Sequence, residues 1–389
     1  MRKLKLGAAG LGRAFALMAP TFALDPRVEL VAAADPREEA RAKFGRDFGG
    51  EAFSSVEALL GRKDLDAVYV ATPHQFHAEH ARLAAAKGRH VLVEKPMALS
   101  VAQCRSMIEA ARGGGVQLIV GHSHSFDAPI RRARDIIESG AVGRLRMITA
   151  LQFTDFLYRP RRPEELATGT GGGAVYNQAA HQVDIVRLLA GSPVKSVRAA
   201  TGAWDAARPV EGAYSCFLDF EDGACASLVY SGYAHFDSDE FCGWIGELGR
   251  DKDPHQYGSS RRILAGAVDE LAMKSARNYG GVEFKDAGPA QHHQHFGVLI
   301  VSCERADLRP LPDGVMIYGD AERRLDALPA PRVPRAEVID ELYDAVVNAK
   351  APLHSGEWAL ATIEVCAAIQ RSSREGKEIP LTNQTASRT

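Results

Sequence analysis

The chain has 389 residues, 46 % of them apolar and 25 % charged, a composition that supports ordinary packed cores, and its length implies two domains at roughly 150 residues each. A formal net charge of −2 provides no basic field for a nucleic acid or an anionic membrane, so neither is an expected partner. No apolar run reaches the ~18 residues needed to cross a bilayer. Six scattered cysteines (Cys104, Cys216, Cys225, Cys242, Cys303 and Cys366) lack any C-x-x-C or zinc spacing, which fits a reducing, cytoplasmic compartment.

The first residues have the basic start and apolar stretch of a signal peptide, but Gly7, Gly10 and Gly12 fall where a phosphate-binding turn needs them. Short apolar runs at Lys3–Ala8, Val28–Ala34, Ala67–Ala71, His90–Val93 and Val116–Val120 read as buried parallel strands. Helical patterns lie between them, at Ala14–Leu24, Gln75–Lys87 and Val101–Ala111. This alternation predicts an α/β N-terminal domain, a doubly wound parallel sheet of Rossmann type, over residues 1–123.

From residue 124 the pattern changes. A helix is predicted at Ala128–Ser139, followed by strands at Leu145–Phe153, Val194–Thr201, Ala213–Phe220, Ala224–Tyr230, Phe241–Leu248 and Phe296–Ser302. Glu221-Asp222-Gly223 reads as a hairpin turn. The expected C-terminal domain, 124–389, is α+β with a largely antiparallel open sheet through which the chain forms a dimer or tetramer. Arg250–Pro289 is charged and contains a helical pattern at Arg262–Ser275, with no assigned role. Helices at Ala336–Ala349 and Glu357–Arg374 follow a Pro-rich connector and are expected to pack back on the first domain.

The first strand runs into Gly10-Leu11-Gly12-Arg13 at the start of a helix, which is the geometry of a dinucleotide site: glycines admit the pyrophosphate and the helix N-terminus favours its charge. Phe15 fills the slot of a third glycine. Asp35 ends the second strand, where a carboxylate accepts from an adenosine ribose; Arg37, two residues on, suits a 2′-phosphate. NAD is therefore favoured, with NADP as the alternative. Ala71-Thr72-Pro73 with His77, and Glu94-Lys95-Pro96, stand at two further strand ends, where such sheets bind ligands.

These motifs in this order resemble those of the Gfo/Idh/MocA oxidoreductase family: the glycine turn, A-T-P-x-x-x-H, E-K-P, and a junction like Glu138-Ser139-Gly140-Ala141-Val142-Gly143. In that family a segment G-G-G-x-x-x-D-x-x-x-H-x-x-D follows; here it reads Gly171-Gly172-Gly173 with Asn177, His181 and Asp184. The resemblance implies a dehydrogenase in which Lys95 positions the substrate and His181 accepts a proton, with small-molecule substrates and no metal. On a helix, residues 177, 181 and 184 would share one face, with Asn177 aligning a hydroxyl and Asp184 orienting the imidazole. His122-Ser123-His124-Ser125-Phe126 replaces a segment that in other members commonly carries Arg or Asn, and His124 is assigned to the substrate. Tyr158-Arg159-Pro160-Arg161-Arg162-Pro163 precedes the glycines, and three guanidiniums there suit a substrate carboxylate. This stretch is similar to the branch containing phthalate 4,5-cis-dihydrodiol dehydrogenase, which implies a carboxylated cyclic dihydrodiol. Sugar or inositol oxidation, and a silent NAD-binding regulator, are the alternatives. His292, His293 and His295 lack a matching Cys or acidic partner, so no metal site is expected there.

Overall fold

The computed structural model describes residues 2–256, 258–266, 269–285 and 290–386. Strands β1 (Leu4–Ala9), β2 (Val28–Ala34), β3 (Glu51–Phe53), β4 (Ala67–Val70), β5 (His90–Val93) and β6 (Leu118–Val120) alternate with helices α1 (Arg13–Leu24), α2 (Glu38–Phe48), α3 (Val56–Leu60), α4 (His77–Ala86) and α5 (Val101–Gly113). All five strand pairings are parallel, in the order β3-β2-β1-β4-β5-β6. The order reverses at β1, so the crevice at the carboxyl ends of β1 and β4 is the topological switch point at which doubly wound sheets take ligands. The expected strands and helices form here with shifts of one or two residues at most ends. Helices α2 and α3 were not expected, nor was β3, whose three residues are too short to show a period.

The chain continues through α6 (Ala128–Glu138), β7 (Leu145–Phe153), α7 (Ala180–Ala190), β8 (Val194–Gly202), β9 (Ala213–Phe220) and β10 (Cys225–Ser231). Two-residue strands β11 (Ile245–Gly246) and β12 (Arg250–Asp251) precede helices α8 (Ser259–Ala265) and α9 (Glu270–Arg277). Then come β13 (Val298–Cys303), β14 (Ala306–Leu311), β15 (Gly314–Gly319), β16 (Arg323–Ala327), α10 (Ala336–Val347), α11 (Gly356–Glu375) and β17 (Ile379–Pro380). Nine of these strands make one sheet in the order β16-β15-β14-β13-β7-β10-β9-β8-β17. Its pairings are antiparallel except for β10 beside β7.

Two expectations change. Phe241–Leu248 is not a continuous strand: Asp237 caps a tight turn at Ser238–Cys242, and Gly243 at φ +69° and Trp244 at φ 59° bend the chain before β11. The left-handed backbone there cannot extend a ladder. The helical pattern at Arg262–Ser275 is two helices, α8 and α9, with residues 267 and 268 outside the described set, as are residues 257 and 286–289 of the wider stretch. In addition, β14, β15 and β16 arise where no strand was expected, although β14 and β15 bury alternate residues such as Leu308, Val315 and Ile317.

The chain divides into two compact units that do not follow a single cut. One comprises Met1–His122, Asp269–Pro289 and Arg332–Leu360; the other Ser123–Val268, Ala290–Pro331 and Ala361–Thr389. In the first, Phe15 is fully buried in an aromatic cluster with Phe22, Phe44, Phe48 and Tyr279. That cluster is why an aromatic side chain replaces the third glycine of the turn. In the second, the sheet's inner face carries Tyr214 stacked on Tyr230, their centroids 5.5 Å apart. Gln182 of α7 meets that face through the Tyr214 hydroxyl at 2.7 Å and the Val229 carbonyl at 3.3 Å.

Candidate active site

At the switch point, Gly10 has φ +91°, and a Cβ there would lie 2.7 Å from the Ala71 carbonyl oxygen. Only glycine fits between β1 and the end of β4. A Cβ on Gly12 would meet nothing within 4 Å, and Gly12 caps α1 without a side-chain bond. The space over this twelve-residue helix is therefore open, with backbone N–H groups at its start, as a pyrophosphate requires. The residues present fit a dinucleotide.

Asp35 is buried, and both of its oxygens are engaged. It accepts from Leu11 N at 2.8 Å and Arg37 N at 2.9 Å, and pairs with the Arg37 guanidinium at 3.0 and 3.1 Å. It thus braces the glycine turn. His77 is fully buried, its ring nitrogens 2.8 Å from the Thr72 carbonyl and 2.9 Å from that of Pro96. The histidine ties the two strand-end motifs together, and this shared structural task explains why they occur as a set. Glu94 is likewise buried, accepting from the Tyr69 hydroxyl at 2.6 Å, and burial raises its pKa. Lys95, the next residue, is half-buried at the end of β5.

In the second unit the glycine segment is held by its own backbone needs. Gly171 and Gly173 have φ +83° and +84°, and a Cβ on Gly172 would lie 2.5 Å from the Glu165 carbonyl oxygen. Asn177 donates from Nδ2 to the carbonyls of Gly171 at 2.9 Å and Gly173 at 2.8 Å. An aspartate could not make those two bonds, so the amide at 177 serves this turn, with its donors turned toward the glycines. Val175–Ala179 forms a wide i→i+5 turn before α7.

His181 lies buried in the first turn of α7. Its ring meets His124 edge-on at 4.8 Å, and Phe296 packs 4.9 Å from both imidazoles. His124 Nδ1 is 2.6 Å from Asp127, and its Nε2 is 3.5 Å from Glu247. Burial works against charge on His124, but the two carboxylates outweigh it and raise its pKa above the usual imidazole value. A raised pKa stabilises the fold fully below pH ~6.5 and less as pH rises through the shifted value. In an Asp127→Asn variant, the His124 ring protons are expected to titrate at lower pH in NMR than in the wild type; an unmoved midpoint would reassign the shift.

Asp184 accepts from Ser125 and from Thr362 at 3.1 Å, and lies 4.0 Å from buried Arg187. Its described bonds anchor the helix that carries His181. The three arginines diverge. Arg159, half-exposed, pairs with Asp155 at 2.8 Å and stands 3.8 Å from Glu247, which joins it to the histidine network. Burial tends to raise the Asp155 pKa, but Arg159 and the Ser260 hydroxyl hold it down to about 2. Arg161 stacks on Phe156 at 3.8 Å, and burial lowers its pKa to about 10. Arg162 caps a short turn through Glu165 and pairs with Glu164.

Asp127, Glu247 and Phe296 were not among the site residues expected from the sequence. The i,i+3 spacing of His124 and Asp127 was a usable signal for the first; the other two arrive by tertiary folding. His292, His293 and His295 face three different partners: Asp313 at 2.6 Å, the Pro329 carbonyl at 2.8 Å and the Ile245 carbonyl at 2.8 Å. Among the described residues no helix is long and apolar enough to cross a membrane.

Comparison with known proteins agrees with this geometry. Residues 4–122 match the model described as an oxidoreductase family with an NAD-binding Rossmann fold, and residues 130–250 match the GFO/IDH/MocA C-terminal domain. The chain is 46 % identical over 373 residues, 94 % of either chain, to 1-carboxy-3-chloro-3,4-dihydroxycyclohexa-1,5-diene dehydrogenase of Comamonas testosteroni. A crystal structure from Bordetella bronchiseptica RB50, assigned as a dehydrogenase, superposes with a TM-score of 0.93 at 43 % identity, covering 97 % of this chain and all of that one. WlbA dehydrogenase of Bordetella pertussis, solved with NADH and UDP-GlcNAcA, shares the fold at 24 % identity and a TM-score of 0.68, over 98 % and 99 % of the two chains. The chain belongs to the Gfo/Idh/MocA family and is an NAD-dependent oxidoreductase.

Proposed function

We propose that the protein oxidises a carboxylated cis-dihydrodiol of a six-membered ring to the corresponding aromatic diol. One observation carries this reading: the similarity, over 94 % of both chains, to an enzyme named for a carboxylated dihydroxycyclohexadiene. NAD, when bound, accepts the hydride from the carbinol carbon. His181 takes the hydroxyl proton on its imidazole, and Lys95 stabilises the oxygen as negative charge develops on it. His124, fixed by Asp127 and Glu247, keeps the histidine pair packed on Phe296. Arg159, the arginine joined to that network, receives the ring carboxylate. The ketone first formed loses its remaining ring C–H proton to oxygen and becomes aromatic, because the ring already contains two double bonds.

Purified protein given NAD and a carboxylated cis-dihydrodiol is expected to show absorbance at 340 nm within a single turnover, and much less with uncarboxylated diols, hexoses or inositol. Reduction with sugars alone would replace the reading by a sugar dehydrogenase. NAD binding with no reduction from any of them would leave a regulator.

We also place the protein in the cytoplasm as a homo-oligomer formed through the outer face of the nine-stranded sheet. Met147, Phe217 and Ile300, each more than 40 % exposed, lie on that face on strands β7, β9 and β13. Light scattering is expected to give a multiple of 42.0 kDa.

A further inference from the structure

The stretch Asp269–Pro289 lies outside both matched regions, yet it belongs to the compact unit that carries the glycine turn. Within it Tyr279 is only 1 % exposed. Its ring meets Phe15 of α1 edge-on at 4.9 Å, and its hydroxyl donates to Asp47 of α2 at 2.6 Å. The Lys43 ammonium stands 5.2 Å from the ring centroids of both Tyr279 and Phe284. Gly280, at φ +80°, passes so close to α2 that a Cβ would lie 2.7 Å from the Ala40 Cα. Ring packing, a phenolic hydrogen bond, a cation and a glycine contact therefore pin one point of the segment to the two helices flanking β2.

That point presents a backbone carbonyl to the nucleotide end of the sheet. The Tyr279 oxygen accepts from Nη1 of Arg37 at 3.3 Å. The remaining donors of Arg37 are fixed as well: Nε and Nη2 on the two Asp35 oxygens at 3.0 and 3.1 Å, and Nη2 also on the Leu11 carbonyl at 2.8 Å. Leu11 N–H donates to Asp35 at 2.8 Å and closes the circuit. Glycine turn, acidic residue, arginine and a carbonyl from 242 positions along the chain form one set of mutually dependent bonds.

We propose that Tyr279 is a positioning residue for NAD, and that the segment around it selects NAD over NADP by holding Arg37 on Asp35. A carboxylate at the end of β2 suits the free 2′-hydroxyl of the adenosine ribose, whereas an arginine beside it receives a 2′-phosphate. With the guanidinium held on Asp35, Leu11 and Tyr279, a 2′-phosphate meets the Asp35 carboxylate without a mobile cation to offset the repulsion. Freed from the Tyr279 carbonyl, the same guanidinium turns outward and supplies that cation.

Titration calorimetry of Tyr279→Ala with NAD and with NADP tests this directly, without turnover. The expected result is NAD binding weaker by ~10-fold, the scale of one hydrogen bond to a charged group, and a NADP-to-NAD ratio of dissociation constants lower by ~10-fold or more. Tyr279→Phe keeps both ring and carbonyl and is expected to retain the wild-type ratio. Gly280→Ala displaces the segment without altering the ring, and carries the test if Tyr279→Ala does not fold. A folded variant whose ratio is unchanged overturns the proposal, and so does an equal loss of affinity for both cofactors. Failure of both variants to fold also overturns it, by assigning the segment to the domain core.

Discussion

Replacement of His181 by alanine is expected to lower kcat by ~10²–10⁴-fold, the usual contribution of a positioned general base, with NAD affinity left within about twofold of wild type. His181 belongs to the second unit and the glycine turn to the first, so binding and proton transfer should separate cleanly. The imidazole has a charged neighbourhood as well as ring packing. It is buried against a second imidazole, His124, which is bracketed by Asp127 and Glu247. Single-turnover absorbance at 340 nm, with NAD binding measured separately by calorimetry, is the check. The pH profile adds a readout that packing alone would not move: the acidic limb of kcat/KM that reports the base should vanish in the variant. Near-wild-type turnover in a folded His181→Ala protein would transfer the proton to another group.

The second large effect is on stability. Arg187→Ala is expected to cost about 3–5 kcal/mol, the range for stranding a buried partner charge. Arg187 is 1 % exposed, donates to Thr362 Oγ1 at 2.7 Å and to the Thr385 carbonyl at 3.3 Å, and faces Asp184 at 4.0 Å. Asp184 in turn holds Ser125 and Thr362. Burial lowers the Arg187 pKa to about 10, so the guanidinium is still charged at neutral pH. Without it the carboxylate remains inside and loses the charge that Arg187 supplies. Urea unfolding followed by circular dichroism measures the loss. Because α7 carries both Asp184 and His181, activity should fall in parallel with the folded fraction; a stable but inactive variant would give Arg187 a more direct role. Arg187→Met, which restores volume but no charge, should recover little of the stability.

The family and the architecture of the first domain were legible in the chain itself. Parallel strands buried on both faces read as apolar runs whatever surrounds them, and the glycine turn, Ala71-Thr72-Pro73 and Glu94-Lys95-Pro96 each occupy a few consecutive residues. The Asn177 amide shows the limit of such reading. Sequence spacing placed it beside a substrate hydroxyl, but the wide turn at Val175–Ala179 and the left-handed glycines before it direct the side chain to the Gly171 and Gly173 carbonyls. The cluster of Arg159, Arg161 and Arg162 is similar. Three neighbouring guanidiniums read as one clamp, while the acids near them in space, Asp155, Glu247, Glu164 and Glu165, distribute the side chains among separate partners.

Lys95 and His181 were found from local motifs: Lys95 follows β5 at a strand end, as expected, and His181 lies on a helix, as expected, but in the first turn of α7. Glu247 and Phe296 were not found as site residues, because the sequence encodes long-range contacts only through complementarity of shape and charge, which has no period along the chain. Glu247 reaches His124 because Gly243 and Trp244 bend a stretch that was expected to run straight. Tyr279 reaches Arg37 across 242 positions. The sequence by itself determined the fold class, a nicotinamide dinucleotide as the cofactor and the candidate base. Tertiary structure alone decided that Glu247 meets His124 and that the Tyr279 carbonyl meets Arg37, since those pairings are set by packing between segments far apart in the chain.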